Sequence, residues 1–173
     1  QTLGFADTGI HPSYRAAENA PQLKKELQTL NSICGRGITK SRQHFLKFNL
    51  PGSYRNYLAA GILEEFSMGF ASRAGFRAGT ARPFNFYDLE KEEETGLKVI
   101  PFQVMDRTLK DYMTLSPDQA LEKILSLAGA VRECGGQFVI IWHNDAFSDY
   151  GERKGWKEVY LQIADTLYDW SDT

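Results

Sequence analysis

The sequence is short of the residues that usually advertise a site: of its 173 residues only three are histidine and two are cysteine. Cys34 and Cys134 each stand just before a glycine. Their spacing gives neither a zinc knuckle nor the disulfide framework of a small secreted domain, so both are expected to be reduced and structural. There is no excess of charge of either sign. A net charge of −2 and a pI near 6.0 remove the electrostatic ground for nucleic acid or an anionic membrane as partner. No apolar run approaches the ~20 residues of a membrane span, and no basic segment followed by a long apolar core opens the chain. A soluble protein is expected, its compartment left open with the cytoplasm slightly favoured. Repeats and low-complexity segments are absent. The glycines of Gly75-Phe76-Arg77-Ala78-Gly79-Thr80 lack the strand-then-helix setting of a dinucleotide fingerprint, which excludes that motif.

What remains is alternation of strands and helices over a length suited to one domain, residues 1–173, with a substantial core. Asn19 with Pro21 opens a helix whose stripe is Leu23, Leu27, Leu30 and Ile33, ended by Gly35 or Gly37. Pro51 starts a shorter helix with Tyr54, Tyr57 and Leu58, closed by Gly61. Ser116-Pro117-Asp118-Gln119 is a capping-box pattern, opening a helix with Leu121, Ile124, Leu125, Ala128 and Val131 inward. A last helix over 155–170 carries Trp156, Val159, Tyr160, Ile163 and Leu167. Strands are expected at 3–10, 38–45, 66–70 and 138–142. The run 97–105 reads as a strand buried on both faces. The acidic run 90–94 reads as a solvated loop. This spacing argues for a mainly parallel α/β sheet or barrel.

Each of the three histidines follows an apolar run: His11, His44 and His143. Period 2 would place Arg42 and His44 on one face of a strand, an anion-binding group beside a possible metal ligand. In parallel α/β folds the strand C-termini form the ligand face, so the three imidazoles point to a site there.

Four motifs carry a resemblance: Gly9-Ile10-His11-Pro12-Ser13-Tyr14, Ser41-Arg42-Gln43-His44-Phe45, Gly75-Phe76-Arg77-Ala78-Gly79-Thr80 and Trp142-His143-Asn144. With them the chain resembles the polysaccharide deacetylase-like proteins of bacteria, relatives of the chitooligosaccharide deacetylases, over about residues 9–170. The resemblance implies a distorted (β/α) barrel and an acetyl-removing hydrolase acting on a carbohydrate substrate. It also implies a divalent metal, zinc being one choice, held by one Asp and two His, with a second Asp as base and a late His as acid. His143 matches the acid, His11 the first metal ligand, and Arg42 the arginine that positions the base. Tyr14, Arg77 and Trp142 are the substrate-binding candidates that go with these motifs.

The departures are as specific. Phe5-Ala6-Asp7-Thr8-Gly9 is only superficially like the paired-aspartate motif, and Arg15 stands where the second metal histidine belongs. His44 is the candidate replacement. The first strand is therefore expected upstream of residue 1, leaving an incomplete barrel whose open edge could pair with another segment or another copy. Asp106 ends the 97–105 run either as a partner or base or as a turn or helix-cap residue before Thr108, and the sequence favours the cap. Arg77 and Arg82 read equally well as sugar or carboxylate binders and as ties from their loop to backbone carbonyls or to Asp88. The rival to a hydrolase is a catalytically silent carbohydrate-binding or scaffolding relative.

Overall fold

Caps written in the sequence set the helices of the structure, a computed structural model that describes residues 7–171. The chain groups into two compact units. One is the described part of Gln1–Met68 with Pro83–Pro101, and the other is Gly69–Arg82 with the described part of Phe102–Thr173.

In the first unit the Asn19 side chain accepts from the Gln22 N–H and α1 (Ala20–Cys34) ends at Gly35, whose φ of 64° suits a residue without Cβ. Leu23 and Leu27 are buried, but Ile33 at the end of the expected stripe is 76% exposed. Four short strands form one open sheet: β1 (Lys40–Ser41), β2 (Glu64–Glu65), β3 (Phe84–Asp88) and β4 (Glu93–Val99), in the order β1-β2-β4-β3. The first two pairings are parallel, registering Ser41, Glu65 and Val99 side by side, and β3 lies antiparallel to β4. Between β1 and β2, α2 (Gly52–Ala60) buries Tyr54 and Tyr57 before Gly61.

Several strand expectations need correction. The described part of 3–10 contributes only Ile10, which bridges in parallel to Ser41; residues 3–6 lie outside the described residues. The strand expected at 66–70 sits earlier, as β2. The acidic run is the turn and first residues of a hairpin, not a free loop. Its partner β3 buries Phe86 and Asp88, and Asp88 offers both carboxylate oxygens to Arg55 at 2.6 and 2.7 Å. The run 97–105 is two strands rather than one. In β4, Leu97 and Val99 are buried while Gly96 and Lys98 are exposed, the one-face alternation of a half-covered strand. After Ile100, Pro101 has no N–H to extend the ladder, and the chain passes to the second unit.

That unit holds a two-stranded parallel sheet, β5 (Val104–Met105) on β6 (Ile140–Ile141). Helix α3 (Pro117–Glu133) starts with the full capping box, Ser116 and Gln119 each bonding the other's backbone. With α4 (Trp156–Ser171) it closes a core of Val104, Leu109, Ala120, Ile124, Ala146, Trp156, Val159 and Ile163. Among the described residues neither sheet closes into a barrel. Both cysteines are free thiols, and no helix there is long and apolar enough to cross a membrane.

One glycine is fixed by space alone. A Cβ on buried Gly69 would enter the ring of Phe102, which is 1% exposed. Gly69→Ala is therefore expected to destabilise the protein by about 1–3 kcal/mol, the usual cost of overpacking. A urea denaturation midpoint that does not move would show that Phe102 has room to yield.

Candidate functional site

In the first unit, β1 ends at Ser41 and the chain turns within three residues. His44 opens a single 3-10 turn, His44–Leu46, with Phe45 and Leu46 in left-handed conformation at φ of 56° and 52°. The expected continuous strand through His44 is therefore absent, and with it the period-2 argument for Arg42. The histidine reaches its neighbour by another route. His11 Nδ1 lies 2.6 Å from the Arg42 carbonyl oxygen, and His11 Nε2 lies 2.9 Å from His44 Nδ1. A carbonyl only accepts, so His11 carries its proton on Nδ1. A neutral His11 then accepts at Nε2 from the His44 Nδ1–H, which leaves His44 Nε2 as a lone pair.

Arg42 itself is largely committed to the protein. Its Nε–H donates to the Phe66 carbonyl at 3.3 Å, and its guanidinium stands 5.9 Å from the Phe66 ring centroid. Burial depresses its basicity, opposed by the charge of nearby Glu65. Tyr14 is exposed, edge-on to Phe45 with centroids 5.9 Å apart, and Lys47 Nζ sits 4.3 Å above its ring.

Beneath these groups lies a buried polar network. The Gln43 side chain donates to the carbonyls of Pro12 and Ser13 and accepts from the Tyr57 hydroxyl at 3.1 Å. Its backbone N–H donates to Ser67 Oγ at 2.8 Å. Glu65, fully buried, accepts from the Tyr54 hydroxyl at 3.0 Å and from the Ser67 N–H at 2.7 Å. Desolvation pushes its carboxyl up to about 7, against the pull of those donors and of Arg42. Sequence reasoning passed over Glu65, because Leu63-Glu64-Glu65-Phe66 reads as a polar break. Its only signal is the register beside Ser41.

The second unit holds the other cluster. Because Met105 registers with Ile141, Asp106 and His143 leave the same end of the small parallel sheet. Asp106 Oδ1 lies 2.5 Å from His143 Nδ1, and Oδ2 accepts the His143 backbone N–H at 3.2 Å. The carboxylate is wholly buried while the imidazole is 41% exposed. Asp106 is thus the partner of His143 and not a helix cap, which corrects the reading favoured from sequence. Beside them Asp145 pairs with Arg107 at 2.7 Å and with Arg153 at 3.4 Å.

Trp142 packs with Trp156 and Tyr160, at centroid distances of 6.0 and 5.7 Å, and belongs to the edge of the core. Its indole N–H is buried without a hydrogen-bond partner among the described residues. Arg77 donates to the Gly69 carbonyl at 3.1 Å and Arg82 to the Cys134 carbonyl at 2.6 Å. Both are backbone ties of the kind weighed from sequence, and Asp88 is taken by Arg55 instead. His11, His44, Arg42 and Tyr14 thus fall in the first unit, and Asp106, His143, Trp142 and Arg77 in the second.

No family model matches the sequence, and no curated protein does. Two crystal structures do match, each described as a "putative polysaccharide deacetylase". The one from Mycobacterium smegmatis is 16% identical with a TM-score of 0.61 over 88% of this chain and 53% of its own. The one from Bordetella bronchiseptica, described as involved in O-antigen biosynthesis, is 17% identical with a TM-score of 0.40 over 62% of this chain and 42% of its own. The chain spans about half the length of the first of these. At that level of identity the likeness concerns the fold: this chain is a mixed α/β protein similar in fold to part of a polysaccharide deacetylase-like structure.

Proposed function

We propose that this chain carries part of the apparatus of a carbohydrate deacetylase, a hydrolase that removes N- or O-acetyl groups from a polysaccharide, with His143 as proton donor. The fold that goes with this reading is the distorted (β/α) barrel of that family. The observation that carries it is the Asp106–His143 pair. When water adds to an acetamide carbon and the tetrahedral adduct collapses, the C–N bond breaks and the amine must take a proton to leave. A buried carboxylate holding Nδ1–H leaves the exposed Nε2 as the nitrogen that exchanges protons, as that role requires.

A divalent ion would supply the Lewis acid that polarises the acetyl carbonyl. His11 Nε2 and His44 Nδ1 are 2.9 Å apart and share the His44 proton, so they would hold an ion together only with His44 protonated on Nε2 instead. The bond from His11 Nδ1 to a carbonyl is the usual support of a histidine ligand. Among the described residues, however, no group of three His, Cys, Asp or Glu side chains comes together, and a catalytic zinc takes three protein ligands. The pair falls short of that set, so no step is assigned to a metal.

Acetate release from an acetylated chitooligosaccharide, with and without added zinc, tests this reading. Slow release is expected, because the described residues bring together neither a three-ligand set nor an assigned catalytic base. His143→Ala should lower it by ~10²–10⁴, the range for loss of a general acid. Release that His143→Ala leaves unchanged would sink the assignment. Turnover at an ordinary ~1–10³ s⁻¹ that a chelator abolishes would show the two-imidazole set to be sufficient. Oligosaccharide binding with no release at all would favour the silent relative.

A further inference from the structure

Tyr14 and Phe45 are large rings left in solvent, 53% and 74% exposed, on two turns that the fold holds tightly. The clamp between the turns is Gln43, itself fully buried. Its side-chain amide donates to the carbonyls of Pro12 and Ser13, just before Tyr14, and its backbone carbonyl accepts from the Leu46 N–H at 3.0 Å, just after Phe45. Ser13 is fixed a second time, through its N–H and hydroxyl to the Glu26 carboxylate. Two successive non-glycine residues, Phe45 and Leu46, hold positive φ, a conformation that bulky side chains rarely adopt. Strain of this kind persists where the surroundings over-determine it, and such places cluster at ligand sites. Here it fixes a ring in water.

We propose that Tyr14 and Phe45 form a stacking platform for one pyranose ring of an oligosaccharide, beside the His11–His44 pair. The proposal rests on the carbohydrate reading above and adds a binding subsite to it. The rings stand at 85° with centroids 5.9 Å apart, a corner at the scale of one sugar ring, and more than half of each residue is exposed. A pyranose has an apolar face of C–H bonds that packs on an aromatic ring and a rim of hydroxyls that needs hydrogen-bond partners. Polar groups suited to that rim adjoin the corner. The His44 ring lies 4.5 Å from the Phe45 ring, with Nε2 free of hydrogen bonds among the described residues, and the Lys47 ammonium sits over Tyr14. Two rings, one flanked by an imidazole and the other capped by an ammonium, are too small and too polar for a protein partner, which typically needs ~800 Å² a side.

The test is titration of the whole chain with acetylated chitotetraose by calorimetry. Phe45→Ala and Tyr14→Ala are each expected to weaken binding roughly three- to tenfold, as loss of one aromatic stacking contact does. Phe45→Trp should retain it, and Leu89→Ala, on the hairpin turn at 77% exposure, should leave it unchanged. Equal affinity in wild type, Phe45→Ala and Tyr14→Ala would overturn the platform, as would no binding by the wild type. So would concentration-dependent self-association that Phe45→Ala abolishes, since the corner would then be a protein contact. The two readings fail separately. If acetate release depends on His143 while binding ignores both rings, only the platform is wrong. Binding that depends on both rings while release ignores His143 removes the catalytic assignment alone.

Discussion

Glu65→Gln is expected to make the protein more stable at pH 8 and to change it little at pH 4. Wild-type Glu65 is fully buried in the sheet, and desolvation raises its carboxyl from an ordinary 4.5 to about 7. A carboxyl raised in the folded state binds its proton more tightly there than in the unfolded chain. Between those two values the folded state therefore holds more protons, and stability falls as pH rises. The contribution of the neutral group is complete below about 4.5, is lost as pH rises through about 7, and changes no further in alkali. At 1.36 kcal/mol per pKa unit the whole swing is about 3 kcal/mol. Glutamine keeps a carbonyl oxygen that can accept from Tyr54 or Ser67 and never ionises, so its stability lacks this swing. Urea unfolding of both proteins from pH 4 to pH 8 reads the difference directly: the gap should open by about 3 kcal/mol over that range. Parallel stability curves would mean that Tyr54, Ser67 and Arg42 already compensate the buried charge.

Much of the helical architecture was legible because caps are local chemistry. Asn19 before Pro21, the Ser116–Gln119 box and the glycines after α1, α2 and α3 act within a turn of the residues they cap. Strands were read poorly for a physical reason. β1, β2, β5 and β6 are two residues each, too short to show a period, so their existence depends on partners elsewhere in the chain. β3 was hidden because its exposed Phe84 and buried Asp88 invert the expected polarity, and only the Arg55 pairing makes sense of it. The candidate site divides the same way. His11, His44 and His143 could be singled out by their place after apolar runs. That His44 leaves the strand and meets His11 through a left-handed turn could not, because positive φ at Phe45 and Leu46 is not what either residue prefers. Asp106 was visible at a strand end but undecided, since its partner lies 37 residues away and only the parallel register of β5 and β6 selects it.

Under the proposed deacetylase reading, Asp106→Asn is expected to lower acetate release by ~10²–10⁴, as much as loss of His143, the proposed proton donor, although it removes no atom from the pair's outline. The reason lies in counting acceptors. His143 presents two N–H groups to Asp106 when its ring is protonated, one on the backbone and one on Nδ1, and the carboxylate meets each with its own oxygen. Asparagine has a single acceptor oxygen. If that oxygen stays on the backbone N–H, the amide NH₂ faces Nδ1. The ring is then held neutral with its proton on Nε2, so no imidazolium stands ready to donate. If the amide turns over to accept from Nδ1–H, the His143 backbone N–H faces an NH₂ in a site where position 106 is wholly buried, and an unmet buried donor costs about 1–3 kcal/mol. Nitrogen-15 chemical shifts of the His143 ring separate this effect from mere unfolding. The wild-type neutral ring should show its proton on Nδ1, and the variant's neutral ring should show it on Nε2 with the thermal transition still cooperative. A variant that keeps the Nδ1 proton yet loses release would place the role of Asp106 in its charge rather than in its choice of tautomer. Unchanged release would remove Asp106 from the proposed chemistry altogether and leave it a structural partner of the strand end.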